Sequence, residues 1–345
     1  MPNPNDRQRS PVFVMGCHRS GTNLLYDMLL SAGDFAIYRG LIPIYNMLIP
    51  RFGSFGKRAN REIIVATWLR SKGFRRAGID PEQLLSRVRN ECRTGGDFIC
   101  AVMDAVAKSQ QMKRWALYGP GNVLHIERIK REIPNALFLH IIRDGRDIAL
   151  SLKKMGGFTP LPWDRSHTDS LVATALYWEW MVRKGRIHGQ KFPTDYMEIH
   201  YEDIITNPRE TLSKLGGFID HDLDYDRIQR VGLGRLSETN SSFREDAPQE
   251  QIHPLARWKK RLTSTEVAAI ESTVGECLRE NGYDLSLPWT EHPRSLRHSV
   301  MRVMYPMFLA SKHGLKLHTP AGRFTDLSYL ELENEPVPMA ESARR

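Results

Sequence analysis

The sequence predicts an α/β fold: a P-loop-like, mostly parallel sheet with helices on both faces, followed by a C-terminal helical extension. Three observations predict it. Short apolar runs alternate with stretches of helical periodicity, the pattern of strands buried on both faces between crossover helices. Two polar clusters, 16–23 and 143–151, sit at the carboxyl ends of such runs, where sheets of this kind bind ligands. The 345 residues are 41% hydrophobic and 26% charged, which fits one large globular domain with additions, or two small ones, and argues against wholesale disorder. The expected divisions are a disordered leader over 1–10, a main domain over 11–290 and an extension over 291–345.

The first strand is Pro11-Val12-Phe13-Val14-Met15, too short for a buried helix and ending at Gly16. A loop to Gly21 leads into a helix over Thr22–Ser31, with Leu24, Leu25, Met28 and Leu29 at helical spacing and Gly33 just past its end. Between Ala36 and Lys72 only a helix near Arg61–Arg70 can be assigned. Asp80-Pro81 has the cap and first-turn proline of a helix reaching about Cys92. Asp97 starts another, to about Gln110. A second unit opens at Trp115, with a helix over Asn122–Glu132 and a strand over Ala136–Ile142. Arg143-Asp144-Gly145-Arg146-Asp147 follows at once, then a helix through Lys154. A long helix spans about Thr168–His188, with Leu171, Ala175, Trp178 and Val182 on one face. A third strand, Tyr196–His200, precedes Tyr201-Glu202-Asp203. Asn207-Pro208 opens a helix expected to close at Gly216-Gly217. Pro288, Pro293 and a basic run mark the end of the main domain, and Glu331–Arg345 reads as frayed.

Forty-nine Lys and Arg against 40 Asp and Glu give a net charge of +9, consistent with an anionic ligand or an uncommitted basic surface. The basic residues are dispersed without interleaved aromatics, so nucleic acid is not the expected partner. Cys17, Cys92, Cys100 and Cys277 form no C-x-x-C pair and no disulfide framework, which fits a reducing compartment. The polar Met1–Ser10 lacks a signal-peptide core, and no window reaches the apolar length of a membrane span. The expected location is cytoplasmic. Residues 292–317 mix Arg294, Arg297, Arg302, Lys312 and Lys316 with Leu296, Val300, Met304 and Phe308. The favoured reading is a helix packed back on the domain; the alternative is peripheral contact with acidic membrane.

Gly16-Cys17-His18-Arg19-Ser20-Gly21-Thr22 resembles a phosphate-cradling loop, in which backbone N–H groups and the helix dipole attract an anion; a plain glycine-bounded turn is the competing account. A triphosphatase loop needs Lys after its second glycine; here Thr22 stands there, which disfavours a P-loop kinase. At the second cluster, Arg143 follows a buried strand and Ser151 lies further along the next helix, a cation and a hydroxyl near the same sheet edge. The competing account is a solvated helix start with local ion pairs. That account suits Asp147 better than Arg143.

Together, Gly16-x-x-Arg19-Ser20-Gly21-Thr22-Asn23-Leu24-Leu25 and Phe138–Ser151 resemble the 5′-phosphosulfate and 3′-phosphate motifs of sulfotransferases. These enzymes use 3′-phosphoadenosine-5′-phosphosulfate (PAPS) as sulfuryl donor. Tyr201-Glu202-Asp203, Asn207-Pro208 and Arg257-Trp258-Lys259 agree with the same family, and the resemblance, covering about 11–285, is nearest to its protein-tyrosine and bacterial branch. It implies that Ser20, Gly21, Thr22 and Asn23 hold the 5′-phosphosulfate, and that Arg19 contacts the transferring group. It implies that Arg143 and Ser151 bind the 3′-phosphate, with Tyr201, Ser242 and Arg257 as further donor contacts. No metal is implied.

Two positions depart from the family. Its usual Glu after the first helix falls in Tyr38-Arg39-Gly40-Leu41-Ile42-Pro43, and its usual Lys falls in Leu117-Tyr118-Gly119-Pro120. His18 is then the candidate base, since an imidazole titrates near neutral pH; simple loop lining is its competing role. His125 and His140 read as structural. Three activities stay open: sulfuryl transfer to a hydroxyl or amine, silent binding of PAPS or its bisphosphate product, and phosphoryl transfer.

Overall fold

The computed structural model describes residues 4–156, 158–234, 236, 255–288 and 295–333. Five parallel strands, β1 (Val12–Gly16), β2 (Phe35–Ala36), β3 (Arg114–Tyr118), β4 (Leu137–Ile142) and β5 (Tyr196–His200), stand in the order β2-β3-β1-β4-β5. Every residue of β1 and β4 is buried. Phe13 and Met15 point into one core while Val12 and Val14 point into the other, and Phe138 and Leu139 divide in the same way. This period-two split explains why the strands read as unbroken apolar runs.

Sequence reading finds β1, β4 and β5 but not β2 or β3. β2 is only two residues long, and β3 opens on a charge. That charge, Arg114, is buried: Nε donates to the Ser10 carbonyl at 2.7 Å and Nη1 to the Ile219 carbonyl at 2.8 Å. Such a residue hides a strand because it breaks the apolar run without leaving the core.

Eleven longer helices surround the sheet: α1 (Thr22–Ser31), α2 (Arg58–Leu69), α3 (Pro81–Glu91), α4 (Gly95–Ser109), α5 (Ile126–Glu132), α6 (Gly145–Met155), α7 (His167–Gly189), α8 (Pro208–Ile219), α9 (Tyr225–Val231), α10 (Ser264–Glu280) and α11 (Leu296–His318). Helix α4 begins two residues before the expected Asp97. Thr94 caps it, and Asp97 reaches back to the cap backbone as the third residue of a capping box. Helix α8 does not stop at Gly216-Gly217. A Cβ on Gly216 would lie 2.6 Å from the His221 carbonyl, so that glycine serves close packing, and the helix ends at Asp220 in the left-handed region.

Three expectations for the ends and turns need correction. Residues 4–9 of the leader form a 3-10 helix, where Arg7 donates to the carbonyls of Phe218 and Thr194, each at 2.6 Å. Glu331 and Glu333 are not frayed: Lys72 pairs with Glu331, and the Arg70 guanidinium donates to the Glu333 carbonyl. The helix start at 143–147 is not solvated; Arg143, Asp144, Arg146 and Asp147 are all buried.

Helix α11 packs against α7 through Met301, Tyr305 and Leu309. Tyr305 donates to Asp164 at 2.9 Å, Arg297 pairs with Asp164 and Asp169, and Arg302 pairs with Glu276. The extension therefore folds back on the main domain. Among the described residues no helix is long and apolar enough to cross a membrane.

Candidate functional site

The chain passes from β1 toward β3 on one side and returns to β4 on the other, so the crevice beyond β1 and β4 is the switch point of the sheet. Gly16 at the end of β1 pairs with Ile141, one residue before the end of β4. The phosphate loop and Arg143 are thereby brought side by side.

The loop is tightly built. Arg19 adopts a left-handed backbone (φ 72°), and Gly21 does so at φ 97°. A Cβ on Gly21 would meet the Tyr201 ring at 2.4 Å, so only glycine leaves the loop and that ring in contact. Ser20 is buried, and among the described residues its Oγ has no hydrogen-bond partner. A buried hydroxyl of this kind costs stability unless a ligand completes it. Thr22 is buried and Asn23 exposed at the start of α1, whose N-terminal N–H groups face the loop. The Cys17 thiol is buried, and burial raises its pKa far above the usual thiol range; it packs rather than reacts.

Three guanidiniums meet here. Arg19 Nε donates to Ser151 Oγ at 3.1 Å. Arg143 donates to Asp147 at 3.1 Å and lies 4.3 Å over the Tyr201 ring. Burial, and then the charge of Arg143, lowers the pKa of both Arg19 and Arg257. Both remain cations near neutral pH. Their mutual repulsion is the electrostatic signature of a place for an anion. Ser242, expected among these contacts, lies outside the described residues.

Asp147, which holds Arg143, is itself held from behind. Trp258 donates its backbone N–H to Asp147 at 3.0 Å and its indole N–H to Asp144 at 3.1 Å. Arg146 donates to Asp144 and Glu271 and stacks 3.8 Å over Trp258. Glu202 accepts the Asp144 N–H at 3.0 Å and the Tyr283 hydroxyl at 3.0 Å. The Tyr201-Glu202-Asp203 segment thus supplies one ring to the cavity and one carboxylate to its support.

His18, Arg19, Arg143, Ser151, Tyr201 and Arg257 all line one cavity of about 900 Å³. His18 is accessible at the wall, with Nδ1 3.2 Å from the Tyr177 hydroxyl. Protein crowding around it, and then Arg19, pull its pKa below the ordinary value, so it is neutral near pH 7 and can accept a proton. His125 and His140 are buried instead. His125 Nε2 is 2.8 Å from Asn46 Oδ1 and His140 Nδ1 2.6 Å from the Tyr196 hydroxyl, while burial lowers their pKa values to about 3 and about 4.

Sequence reading points to the 38–43 and 117–120 stretches, which reach this wall, but misses other parts of it. Asp27, on α1, brings a carboxylate to the wall; burial raises its pKa, and Arg39 pairs with it at 2.9 Å. Tyr177 and Trp180 of α7 and Phe308 of α11 also line it. The one available signal was the aromatic density of Tyr177-Trp178-Glu179-Trp180, which a core helix explains equally well.

A model of the sulfotransferase family matches residues 11–225. A Caenorhabditis elegans protein named as a protein-tyrosine sulfotransferase is 25% identical over 120 residues, 34% of this chain and 45% of that protein. Mouse sulfotransferase 1B1 is 26% identical over 100 residues, 27% of this chain and 33% of that protein. The chain thus spans less than half the length of either relative. The sulfotransferase domain of the Synechococcus PCC 7002 olefin synthase superposes with a TM-score of 0.51 at 18% identity, covering 81% of this chain and 96% of that domain. That likeness concerns the fold. With the family model spanning more than half of its residues, and with the parallel sheet and phosphate loop in place, the chain belongs to the sulfotransferase family.

Proposed function

We propose that the protein transfers a sulfuryl group from PAPS to a hydroxyl or amine of an acceptor held in the 900 Å³ cavity. The observation that carries this reading is the convergence of Arg19, Arg143 and Arg257 beside the unpartnered, buried Ser20 hydroxyl. The residues present fit the donor. Ser20, Gly21, Thr22 and Asn23 would hold the 5′-phosphosulfate at the helix N-terminus, while Arg143 and Ser151, with Tyr201 and Arg257, would hold the 3′-phosphate. PAPS supplies a sulfuryl group on a good leaving group, so the protein's work is positioning and charge stabilisation. Arg19, tied to Ser151, is placed to neutralise charge on the departing phosphate. No lysine stands after Gly21, which disfavours phosphoryl transfer from ATP.

The acceptor's proton needs a destination. The usual Glu and Lys positions contribute Leu41, Ile42 and Pro43, and Tyr118, Gly119 and Pro120, to the cavity wall. His18, neutral and accessible, is our candidate base, and Asp27 is the carboxylate that shares its cavity. The absence of the usual pair supports a second reading, a silent binder of PAPS or its product.

Thermal unfolding with adenosine 3′,5′-bisphosphate tests the donor assignment. A ligand at a hundred times its Kd adds about 2.7 kcal/mol of stability, and ATP at the same concentration should add much less. Equal stabilisation by the two nucleotides overturns the 3′-phosphate assignment. Bisphosphate binding without turnover on pooled hydroxyl and amine acceptors selects the silent reading.

A further inference from the structure

Helix α11 forms the part of the cavity that belongs to neither motif, and it brings Phe308, Leu309, Lys312, His313 and Lys316 to the wall. A line of rings connects it to the phosphate loop. Centroids are 6.4 Å apart from His18 to Tyr177, 6.3 Å from Tyr177 to Trp180, and 6.2 Å from Trp180 to His313. Lys316 lies one helical turn beyond His313. The cavity therefore has two cationic ends, the arginines at one and α11 at the other, joined by an aromatic wall.

The lysines differ from the other cations of their helix. Arg297 and Arg302 are paired with Asp164, Asp169 and Glu276. Among the described residues, no carboxylate lies within ion-pairing distance of Lys312 or Lys316. Lys316 is half-buried, and burial, followed by the charge of Lys312, lowers its pKa. The acids of the neighbouring α5 are already engaged: Glu127 with His188 and Lys191, Glu132 with Arg128 and Tyr45. Cations near a helix C-terminus complement its dipole. That accounts for an exposed lysine, but not for one half-buried against an open cavity.

We infer that Lys312 and Lys316 form a subsite for an anionic group, and that the acceptor is an amphipathic acid. Its nucleophile would face Arg19, its apolar body would lie along Tyr177, Trp180 and Phe308, and its carboxylate, sulfate or phosphate would reach the lysines. Which end reacts rests on the sulfuryl-transfer reading; the anionic subsite does not.

Two fluorescent probes of nearly the same shape test it: 1-anilinonaphthalene-8-sulfonate and neutral N-phenyl-1-naphthylamine. Each is titrated into the full chain with saturating adenosine 3′,5′-bisphosphate, which caps the arginine end. The sulfonate should bind more tightly than the amine, and increasingly so as salt is lowered. The double variant Lys312→Gln/Lys316→Gln should lose about tenfold in sulfonate affinity, the scale of a charge-assisted contact, while keeping its affinity for the amine. Arg302→Gln, on the same helix but outside the cavity lining, should change neither. Unchanged sulfonate binding in the double variant, or an equal loss for both probes, overturns the subsite. Failure of the bisphosphate to bind overturns the donor reading instead, and the lysine-dependent difference between probes is read out in either case.

Discussion

Arg143 and Arg146 stand three residues apart in one motif, are both buried, and have opposite surroundings. Arg146 is enclosed by acceptors: both oxygens of Asp144, Glu271 at 2.5 Å and the Asp284 carbonyl, with the Trp258 ring beneath. Arg143 donates to Asp147, which it shares with Trp258, and to the Arg19 carbonyl, and it faces two further guanidiniums across the cavity. A buried cation with a full set of acceptors is a structural device, because removing it strands the acids around it. A buried cation set among other cations is the arrangement that the proposed function assigns to a bound anion. The lesson is that surroundings, rather than residue type or burial, separate framework from site.

The largest expected effect breaks the framework half of this comparison. Arg146→Ala leaves Asp144 and Glu271 buried without their partner and should cost about 3–5 kcal/mol of stability, read by urea unfolding. Bisphosphate affinity per folded molecule should stay nearly unchanged. A stable Arg146→Ala protein with weakened nucleotide binding would reverse the two roles.

Arg19→Ala comes next, on the site half. Charge on the leaving phosphate must be stabilised whatever the acceptor, so turnover at saturating donor should fall by about 10² to 10³, with an unchanged melting temperature. A fully active variant would remove Arg19 from the chemistry. Arg143→Ala should weaken bisphosphate binding by about 1.5–3 kcal/mol, measured by calorimetry, and should destabilise less than Arg146→Ala. Loss of folding comparable to that of Arg146→Ala would merge the two arginines into one network.

The smallest effect sharpens the account of the base. The lowered pKa of His18 means that it loses its acceptor capacity only as pH falls below about 6.5, the ordinary histidine value. Activity toward an aliphatic alcohol should therefore decline on the acid side of that value, and His18→Ala should lower activity and flatten the acid limb. A phenol, already acidic, should be little affected. If both acceptors and both pH profiles are unchanged, Asp27 becomes the base to test.

The contrast also marks what the sequence made legible. The proposed donor side is carried by two contiguous segments, 16–23 and 143–151, and a parallel sheet with β1 beside β4 brings their ends together. Local pattern sufficed there. It did not suffice for Asp147, which reads in sequence as part of a solvated helix start but is enclosed by Trp258 and Arg143. The opposite wall is assembled from residues near 41–47, 117–122, 177–181 and 308–316, and no short motif records that meeting. Strand β3 was hidden for a related reason, since the partners that make Arg114 a core residue lie 104 and 105 positions away.

Helix α11 gives the chain a chronology. A ribosome has finished the sheet, the phosphate loop and all three arginines by residue 257, but it reaches Phe308 and Lys316 much later. A chain ending near residue 290 would carry the phosphate loop and the three arginines without the stretch of cavity wall that α11 contributes. On the proposed reading such a fragment should keep bisphosphate binding and lose selectivity among acceptors, so the synthesis of α11 would set when the cavity becomes selective.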